Sequence, residues 1–168
     1  MTRIYQVQSN EDISHAQEII WEYLRWANSR VKEEYTVSVD IKSIHKNFFL
    51  ELENFLPPNG CLLLAEHDGY ILATVSMRRI RKDTCEILRL YVRPEYRRRR
   101  LGKTLLEKII NKAQIIGYSR ILLDSPRYMN EAHTLYQSAG FRVREPYPEC
   151  EIPKEFHKYW LFMEKQLS

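Results

Sequence analysis

The chain has 168 residues, of which 44% are apolar and 29% are charged, and its formal net charge is +4. This length and composition are typical of one globular domain with its own core, and they exclude a disordered or fibrous chain. No apolar stretch approaches the roughly 20 residues that a membrane helix needs, and the N-terminus lacks the pattern of a secretory signal. We therefore expect one cytoplasmic domain over residues 1–168, with no membrane partner.

The first half of the chain predicts a strand, two helices and a hairpin. The predicted elements are a strand at 3–7, helices at 10–29 and 40–55, and strands at 61–65 and from 70 to 77 or 80. Asp68-Gly69 lies between the two later strands and is typical of a tight hairpin turn.

The second half predicts a strand and helix that alternate before two final strands. The predicted elements are a strand at 84–92, a helix at 101–116, a strand at 121–123, a helix at 128–138, and strands at 141–143 and 159–163. Gly117 and Gly140 suit helix ends, and prolines make 144–157 a loop. This order, with a strand–helix–strand crossover at its centre, predicts an α+β fold in which helices cover a mixed sheet.

The cysteines and histidines give no sign of a metal site. Cys61, Cys85 and Cys150 form no C-x-x-C pair, so neither a disulfide framework nor a zinc site is predicted. The five histidines are dispersed without the spacing of metal ligands. The sequence therefore predicts chemistry that uses no metal ion.

The basic residues concentrate where the central strand meets the helix at 101–116. Lys and Arg number 10 against 12 Asp and Glu in residues 1–84, but 16 against 10 in residues 85–168. Arg97 to Arg100 form a basic turn, followed by Gly102 in the first helical turn. A strand, a basic turn with glycine and a helix start present free N–H groups to a phosphate. One concentrated patch favours a small polyanionic cofactor over nucleic acid, and a solvated arginine cluster is the alternative.

Two motifs in this half resemble those of the GNAT superfamily of N-acetyltransferases. The run CEILRLYVRPEYRRRRLGKTLLE resembles the cofactor motif of that family, in which R/Q-x-x-G-x-G/A opens the helix. Arg97 matches its first position and Gly102 its last, whereas Arg100 stands where the first glycine usually is. Downstream, Ala132, Leu135-Tyr136 and Ala139-Gly140-Phe141 resemble a second family signature.

The resemblance implies acetyl-CoA as the acetyl donor and a GNAT-like fold, in which two neighbouring parallel strands separate around the pantetheine arm. It implies that backbone groups of Leu90, Tyr91 and Val92 bind that arm. The residues that it places around the pyrophosphate are Arg97, Arg98, Arg99, Arg100, Leu101, Gly102 and Lys103. A second departure is Met129, at a position where many relatives have asparagine.

Acetyl transfer to an amine needs a group that takes the amine's proton and a group that protonates the departing thiolate. Glu86 lies on the central strand just ahead of the cofactor motif, where family members often place a catalytic carboxylate that acts directly or through water. The alternative is a strand glutamate that faces solvent or pairs with Arg78 or Arg89. Tyr136 matches the family tyrosine near the cofactor sulfur and is the predicted acid; the alternative is a packed aromatic ring.

The predicted function is an acetyl-CoA-dependent N-acetyltransferase that acts on a primary amine of a small molecule through a ternary complex. Acetylation of a protein lysine or N-terminus, and a catalytically silent acyl-CoA-binding module, are the alternatives. A nucleic-acid-binding protein is a third class, which predicts strongly salt-dependent binding. The acidic segment with Glu145, Glu149, Glu151 and Glu155 is either a solvated loop or an attractor for a cationic acceptor. The oligomeric state, including a homodimer, stays open.

Overall fold

A computed structural model describes all residues from 1 to 168. The strands are β1 (Arg3–Gln6), β2 (Cys61–His67), β3 (Tyr70–Arg81), β4 (Thr84–Val92), β5 (Arg120–Pro126), β6 (Arg142–Arg144) and β7 (Trp160–Gln166). The α-helices are α1 (Asn10–Tyr35), α2 (Ile41–Leu50), α3 (Leu101–Ile116) and α4 (Asn130–Ser138). None of these helices is both long and apolar enough to cross a membrane.

One seven-stranded sheet carries the fold, with strand order β1-β2-β3-β4-β5-β7-β6. Neighbouring strands are antiparallel except β4 and β5, which are parallel and are joined by α3. The β2–β3 hairpin turns at Asp68 and Gly69, both with positive φ, as a two-residue turn that matches the sheet twist requires. The predicted order of elements and the mixed α+β sheet are confirmed.

The two faces of the sheet are covered by different helices. Side chains of α3 and α4 pack on one face, in a cluster that includes Leu105, Ile109 and Tyr136. Side chains of α1 and α2 pack on the other, in a cluster that includes Ile20 and Phe48. A smaller third cluster lies under the C-terminal loop, where Tyr147, Ile152, Trp160 and Phe162 meet Val31 of α1 and Leu122 of β5.

The parallel strands β4 and β5 separate in the middle of the sheet. They pair only from Thr84 to Glu86 on β4 and from Arg120 to Leu122 on β5. β4 then continues to Val92 and β5 to Pro126 without further pairing between them. The separation that the family resemblance implied is therefore present, and it leaves a gap between two strand edges.

A β-bulge in β4 changes which side chains face each helix layer. Ser76 of β3 pairs with Leu88, but Thr74 pairs with Tyr91, so β4 holds one residue more than β3 over this stretch. Arg89 in the bulge has a φ of 61°. Leu88 and Tyr91 consequently pack on the α1–α2 side, while Ile87, Leu90 and Val92 lie on the α3 side.

The ends of several elements differ from the sequence prediction. The helix predicted at 40–55 is α2, which ends at Leu50 and is followed by a 3₁₀ segment, Leu52–Phe55. α1 runs to Tyr35 rather than to residue 29. In this last part Val31 is buried in the core, and Arg30 forms a helical ion pair with Glu34 at 3.4 Å. α1 ends at Thr36, whose φ of 60° stops the helix. The predicted loop at 144–157 also contains the start of a short 3₁₀ segment, Lys154–Tyr159.

Candidate active site

The start of α3 presents an uninterrupted set of free backbone donors. The N–H groups from Arg98 to Lys103 have no hydrogen-bond acceptor in the protein, and no side chain caps this helix. At α1, by contrast, the Ser9 hydroxyl accepts from the N–H of Asp12 at 3.0 Å. Free N–H groups at a helix start carry partial positive charge and bind anions.

The turn before α3 adopts the backbone that the family motif requires. Arg98 and Arg100 have φ values of 63° and 62°, the left-handed conformation that favours glycine. Arg100 therefore keeps the backbone shape of the glycine that it replaces. At Gly102 an added Cβ would lie 3.7 Å from Leu135 and from Val92, an ordinary contact. The fold therefore tolerates a small side chain at Gly102.

The four arginines of the turn divide into two groups. Arg97 folds back onto the protein: its Nε donates to the carbonyl of Val92 at 2.8 Å, and its guanidinium lies 4.8 Å from the ring centre of Trp26. Arg98, Arg99 and Arg100 are exposed. Arg97 therefore shapes the turn, while the other three are free to meet a polyanion.

The edge of β4 that faces the gap includes the three predicted pantetheine contacts. Leu90 lies in the bulge and has no partner on β3 or β5. Tyr91 and Val92 pair with β3 on one side and have no strand on the other. An extended ligand arm in the gap would therefore find an open strand edge, where backbone groups bind such chains.

Tyr136 of α4 lies at the gap with a free hydroxyl. The residue is only 7% exposed and packs against Phe141, with ring centres 5.8 Å apart. Its hydroxyl makes no hydrogen bond in the protein, yet it is not fully enclosed, because Arg89 Nε is the one fully buried side-chain donor or acceptor without a partner. Burial raises the pKa of Tyr136, so this phenol is protonated at neutral pH. Met129 instead turns inward, with its sulfur 3.6 Å from the Ser125 hydroxyl.

Glu86 lies at the last point where β4 and β5 pair, and it is fully buried. Its two carboxylate oxygens are engaged: Arg78 Nε donates to one at 2.8 Å and the Tyr147 hydroxyl donates to the other at 2.6 Å. Burial raises the pKa of Glu86, and the charge of Arg78 opposes that rise. Of the two predicted alternatives, the pairing with Arg78 is the one present.

Other charged residues meet at the same place, and the sequence had pointed only to Glu151 among them, as one of four loop glutamates that could attract a cationic acceptor. Asp124 of β5 lies 3.5 Å from the Tyr147 hydroxyl, and Glu151 of the C-terminal loop receives two hydrogen bonds from Arg89. The bulge brings Arg89 to this side of the sheet, and a single sequence does not reveal such a bulge. Loop residues such as Tyr147 and Glu151 carried no motif, and only the fold of the loop brings them here.

Ion pairs fix the acidic C-terminal loop to the sheet. Arg81 donates to both oxygens of Glu149 at 2.6 and 2.9 Å, and Arg89 holds Glu151 in the same two-pronged manner. Arg89 is 6% exposed and Glu151 24%. For these two glutamates the solvated-loop interpretation is wrong, because each neutralises an arginine of the sheet.

Two cavities adjoin this charged cluster on the α1–α2 side. One of about 60 Å³ is lined by Tyr23, Arg89, Asp124 and Glu151 together with apolar side chains of α1, α2 and β4. The other, of about 440 Å³, shares Arg89 and Glu151 and extends along α2. Both cavities are lined by Leu88 and Arg89 of β4, which follow the last residue that pairs with β5.

The gap between β4 and β5, the uncapped start of α3 and the adjoining cavities form an arrangement that can hold an extended anionic ligand beside a second small molecule. The family model described as acetyltransferase (GNAT) family matches residues 16–141, well over half of the chain. The chain therefore belongs to the GNAT family, as the motifs predicted, and it is an N-acetyltransferase.

Individual relatives agree with this assignment. The chain is 30% identical to an uncharacterized N-acetyltransferase of Schizosaccharomyces pombe over 88% of this chain and 86% of that protein. It is 32% identical to an IAA acetyltransferase of Azospirillum brasilense over 76% of this chain and 82% of that protein. Among solved structures, a PaiA N-acetyltransferase of Thermoplasma acidophilum in complex with coenzyme A has the same fold, with a TM-score of 0.73, 22% identity and 99% coverage of both chains.

Proposed function

We propose that this protein transfers the acetyl group of acetyl-CoA to a primary amine of a small molecule, by direct attack within a ternary complex. The observation that carries the proposal is the run of free N–H groups from Arg98 to Lys103 beside the gap between β4 and β5. Membership of the GNAT family and a neighbour that holds coenzyme A support the choice of donor.

The cofactor site is proposed in two parts. The pyrophosphate would bind the N–H groups at the start of α3, with Arg98, Arg99, Arg100 and Lys103 supplying exposed positive charge. The pantetheine arm would lie along the open edge of β4 at Leu90, Tyr91 and Val92. This direction brings the thioester toward Tyr136 and the charged cluster.

In the proposed reaction the amine nitrogen attacks the thioester carbon, a C–N bond forms and the C–S bond breaks. Tyr136 protonates the departing thiolate, since its hydroxyl makes no hydrogen bond in the protein and a phenol carries its proton at neutral pH. The amine's surplus proton passes to the carboxylate cluster that contains Glu86. Because Glu86 is enclosed, it does not touch the amine. It acts through the hydroxyl of Tyr147, which donates a hydrogen bond to it.

The acceptor is proposed to be small because the adjoining cavities are small and partly closed. A volume of about 60 Å³ next to the cluster accommodates only a few non-hydrogen atoms, and the larger cavity of about 440 Å³ matches a small ligand. Asp40 and Glu51 line the larger cavity and form no ion pair, whereas its two arginines, Arg78 and Arg89, are paired with Glu86 and Glu151. The two unpaired carboxylates favour a positively charged amine during entry.

The test is release of free thiol from acetyl-CoA in the presence of a panel of primary amines. Ethanolamine, benzylamine, ethylenediamine and lysine represent small acceptors, and peptides with a free N-terminus or an internal lysine represent protein acceptors. Turnover with small amines and not with peptides is expected. Turnover confined to the peptides would refute the small-molecule acceptor, and no release with either set would refute the function.

Tyr136→Phe tests the acid without changing the shape of the ring. We expect kcat to fall by roughly 10²-fold while the Kd for coenzyme A stays nearly unchanged. A thioester with a more acidic leaving thiol should restore much of the rate, because it needs less protonation. Tyr118→Phe is the matched control, since Tyr118 is equally buried in the same core but its hydroxyl bonds Asn59. Equal losses in both variants would make Tyr136 a packing residue.

A further inference from the structure

Three carboxylates meet near the gap, and they differ in what they already bind. Glu86 is fully buried with both oxygens engaged by Arg78 and Tyr147. Glu151 is held through both oxygens by the guanidinium of Arg89. Asp124 has one contact, a long one of 3.5 Å from the Tyr147 hydroxyl to a single oxygen. Asp124 is therefore the carboxylate with hydrogen-bonding capacity left over.

Asp124 is also the more accessible of the two carboxylates on the sheet. It lines the small cavity, whereas Glu86 lines neither cavity. The second oxygen of Asp124 has no partner but is not fully enclosed, because Arg89 Nε is the only fully buried polar side-chain atom without one. A ligand group in the small cavity can thus reach Asp124 but not Glu86.

The position of Asp124 on β5 places it at the opening of the sheet. It lies two residues beyond Leu122, the last residue of β5 that pairs with β4. Because side chains alternate along a strand, Asp124 shares a face with Leu122, which packs in the cluster under the C-terminal loop. Its charge is felt by Tyr23 of α1 and by Tyr136 of α4. Asp124 thus borders the small cavity just beyond the point where β4 and β5 part.

We propose that Asp124 is the catalytic carboxylate that touches the acceptor amine and takes its proton, with Glu86 and Tyr147 acting behind it as positioning residues. This assignment rests on the proposed function. In the step, the neutral amine attacks the thioester, and the N–H proton of the resulting ammonium goes to the free oxygen of Asp124. The carboxylate becomes a carboxylic acid, and the thiolate separately receives the proton of Tyr136.

The surroundings make Asp124 a stronger proton acceptor than an ordinary aspartate. Burial raises its pKa well above the usual value, and the negative charges of Glu86 and Glu151 raise it further. Arg89 and the Tyr147 hydroxyl oppose this rise, but the hydrogen bonds of Arg89 go to Glu151 and those of Arg78 to Glu86 and to a backbone carbonyl. Tyr23 and Tyr136, the other groups that face it, are neutral at neutral pH because their pKa values are raised.

The experiment compares Asp124→Asn with Glu86→Gln, two variants that keep shape and remove charge. Each is measured with the panel amine that the wild type acetylates fastest, and titration with coenzyme A verifies that each variant folds. We expect Asp124→Asn to lower kcat by roughly 10²-fold or more, with the Kd for coenzyme A unchanged. Glu86→Gln should lose less activity than Asp124→Asn.

The dependence of kcat/KM on pH separates the roles further. In the wild type we expect the acidic limb to lie above the ordinary carboxyl range of about 4. Removing the negative charge of Glu86 lowers the pKa of Asp124, so the limb of Glu86→Gln should move to lower pH. If the wild type acetylates the amine and Asp124→Asn does so at the same rate, Asp124 is not the base, while the proposed acetyltransferase function stands. A larger loss in Glu86→Gln with no shift of the limb would return the base role to Glu86.

Discussion

The ion pair between Arg89 and Glu151 holds the C-terminal loop beside the two cavities, and its contribution to the free energy of unfolding can be measured. Glu151→Gln removes the charge and keeps the volume. The guanidinium of Arg89 is 6% exposed and already has one donor, Nε, without a partner. The variant therefore leaves a buried cation without its counter-charge, for which a loss of about 3–5 kcal/mol in the free energy of unfolding is expected.

For a domain of this size, each 1 kcal/mol shifts Tm by about 2–4 °C. The expected decrease is therefore roughly 6–20 °C, measured by thermal unfolding and by urea titration. Glu149→Gln is the matched control, because its partner Arg81 is 35% exposed and stays solvated. That pair is expected to contribute no more than about 1 kcal/mol.

A combined variant, Arg89→Met with Glu151→Leu, removes both charges and fills the space with apolar atoms. It should be more stable than Glu151→Gln, since no unpaired charge remains. If Glu151→Gln lowers the free energy of unfolding no more than Glu149→Gln does, Arg89 is not left as an unpaired buried charge, and it has found another partner or solvent.

Three further outcomes follow from the geometry. Burial alone would raise the pKa of Glu151, but the charge and hydrogen bonds of Arg89, together with the charge of Arg78, lower it overall. The contribution of Glu151 to stability is therefore present above the unfolded carboxyl pKa and is lost as pH falls through the folded one. Urea titrations should show the stability difference between wild type and Glu151→Gln narrowing below about pH 4.5. Gly102→Val should weaken coenzyme A binding about tenfold in calorimetry, as expected for one lost charge-assisted hydrogen bond, whereas an unchanged Kd would place the pyrophosphate elsewhere. Arg100→Gly should raise the unfolding free energy by up to about 1 kcal/mol by relieving the left-handed conformation, with coenzyme A still bound; lower stability would contradict that conformation.

The order of elements could be predicted because local signals mark it. Asp68-Gly69 marks the hairpin, Gly117 marks the end of α3, and the apolar spacing of α3 is helical. The end of α1 is an exception. There Arg30 forms ion pairs with Glu33 and Glu34, and a search for hydrophobic periodicity does not detect such pairs.

The sequence could suggest the proposed cofactor half of the site, because its residues are contiguous from Leu90 to Lys103, and that half stays a prediction. The acceptor half could not be suggested in this way. Asp124, Tyr147 and Glu151 are distant in sequence from Glu86 and meet it only through the parallel pairing of β4 with β5 and the fold of the C-terminal loop. The roles of Glu86 and Tyr136, like the extent of the domain, stay predictions.

Because of its bulge, β4 can change on the side that faces the proposed acceptor cavity without a change on the side that faces the proposed cofactor. In a regular strand, a residue whose side chain faces the acceptor would lie between residues whose backbone groups are proposed to bind the cofactor. The additional residue, Arg89, instead projects toward α2, with its guanidinium 5.4 Å from the ring centre of Phe48, while Leu90 and Val92 keep their places on the other face. Relatives with different acceptors could therefore vary position 89, together with its loop partner at 151, and leave the proposed path of the pantetheine arm intact.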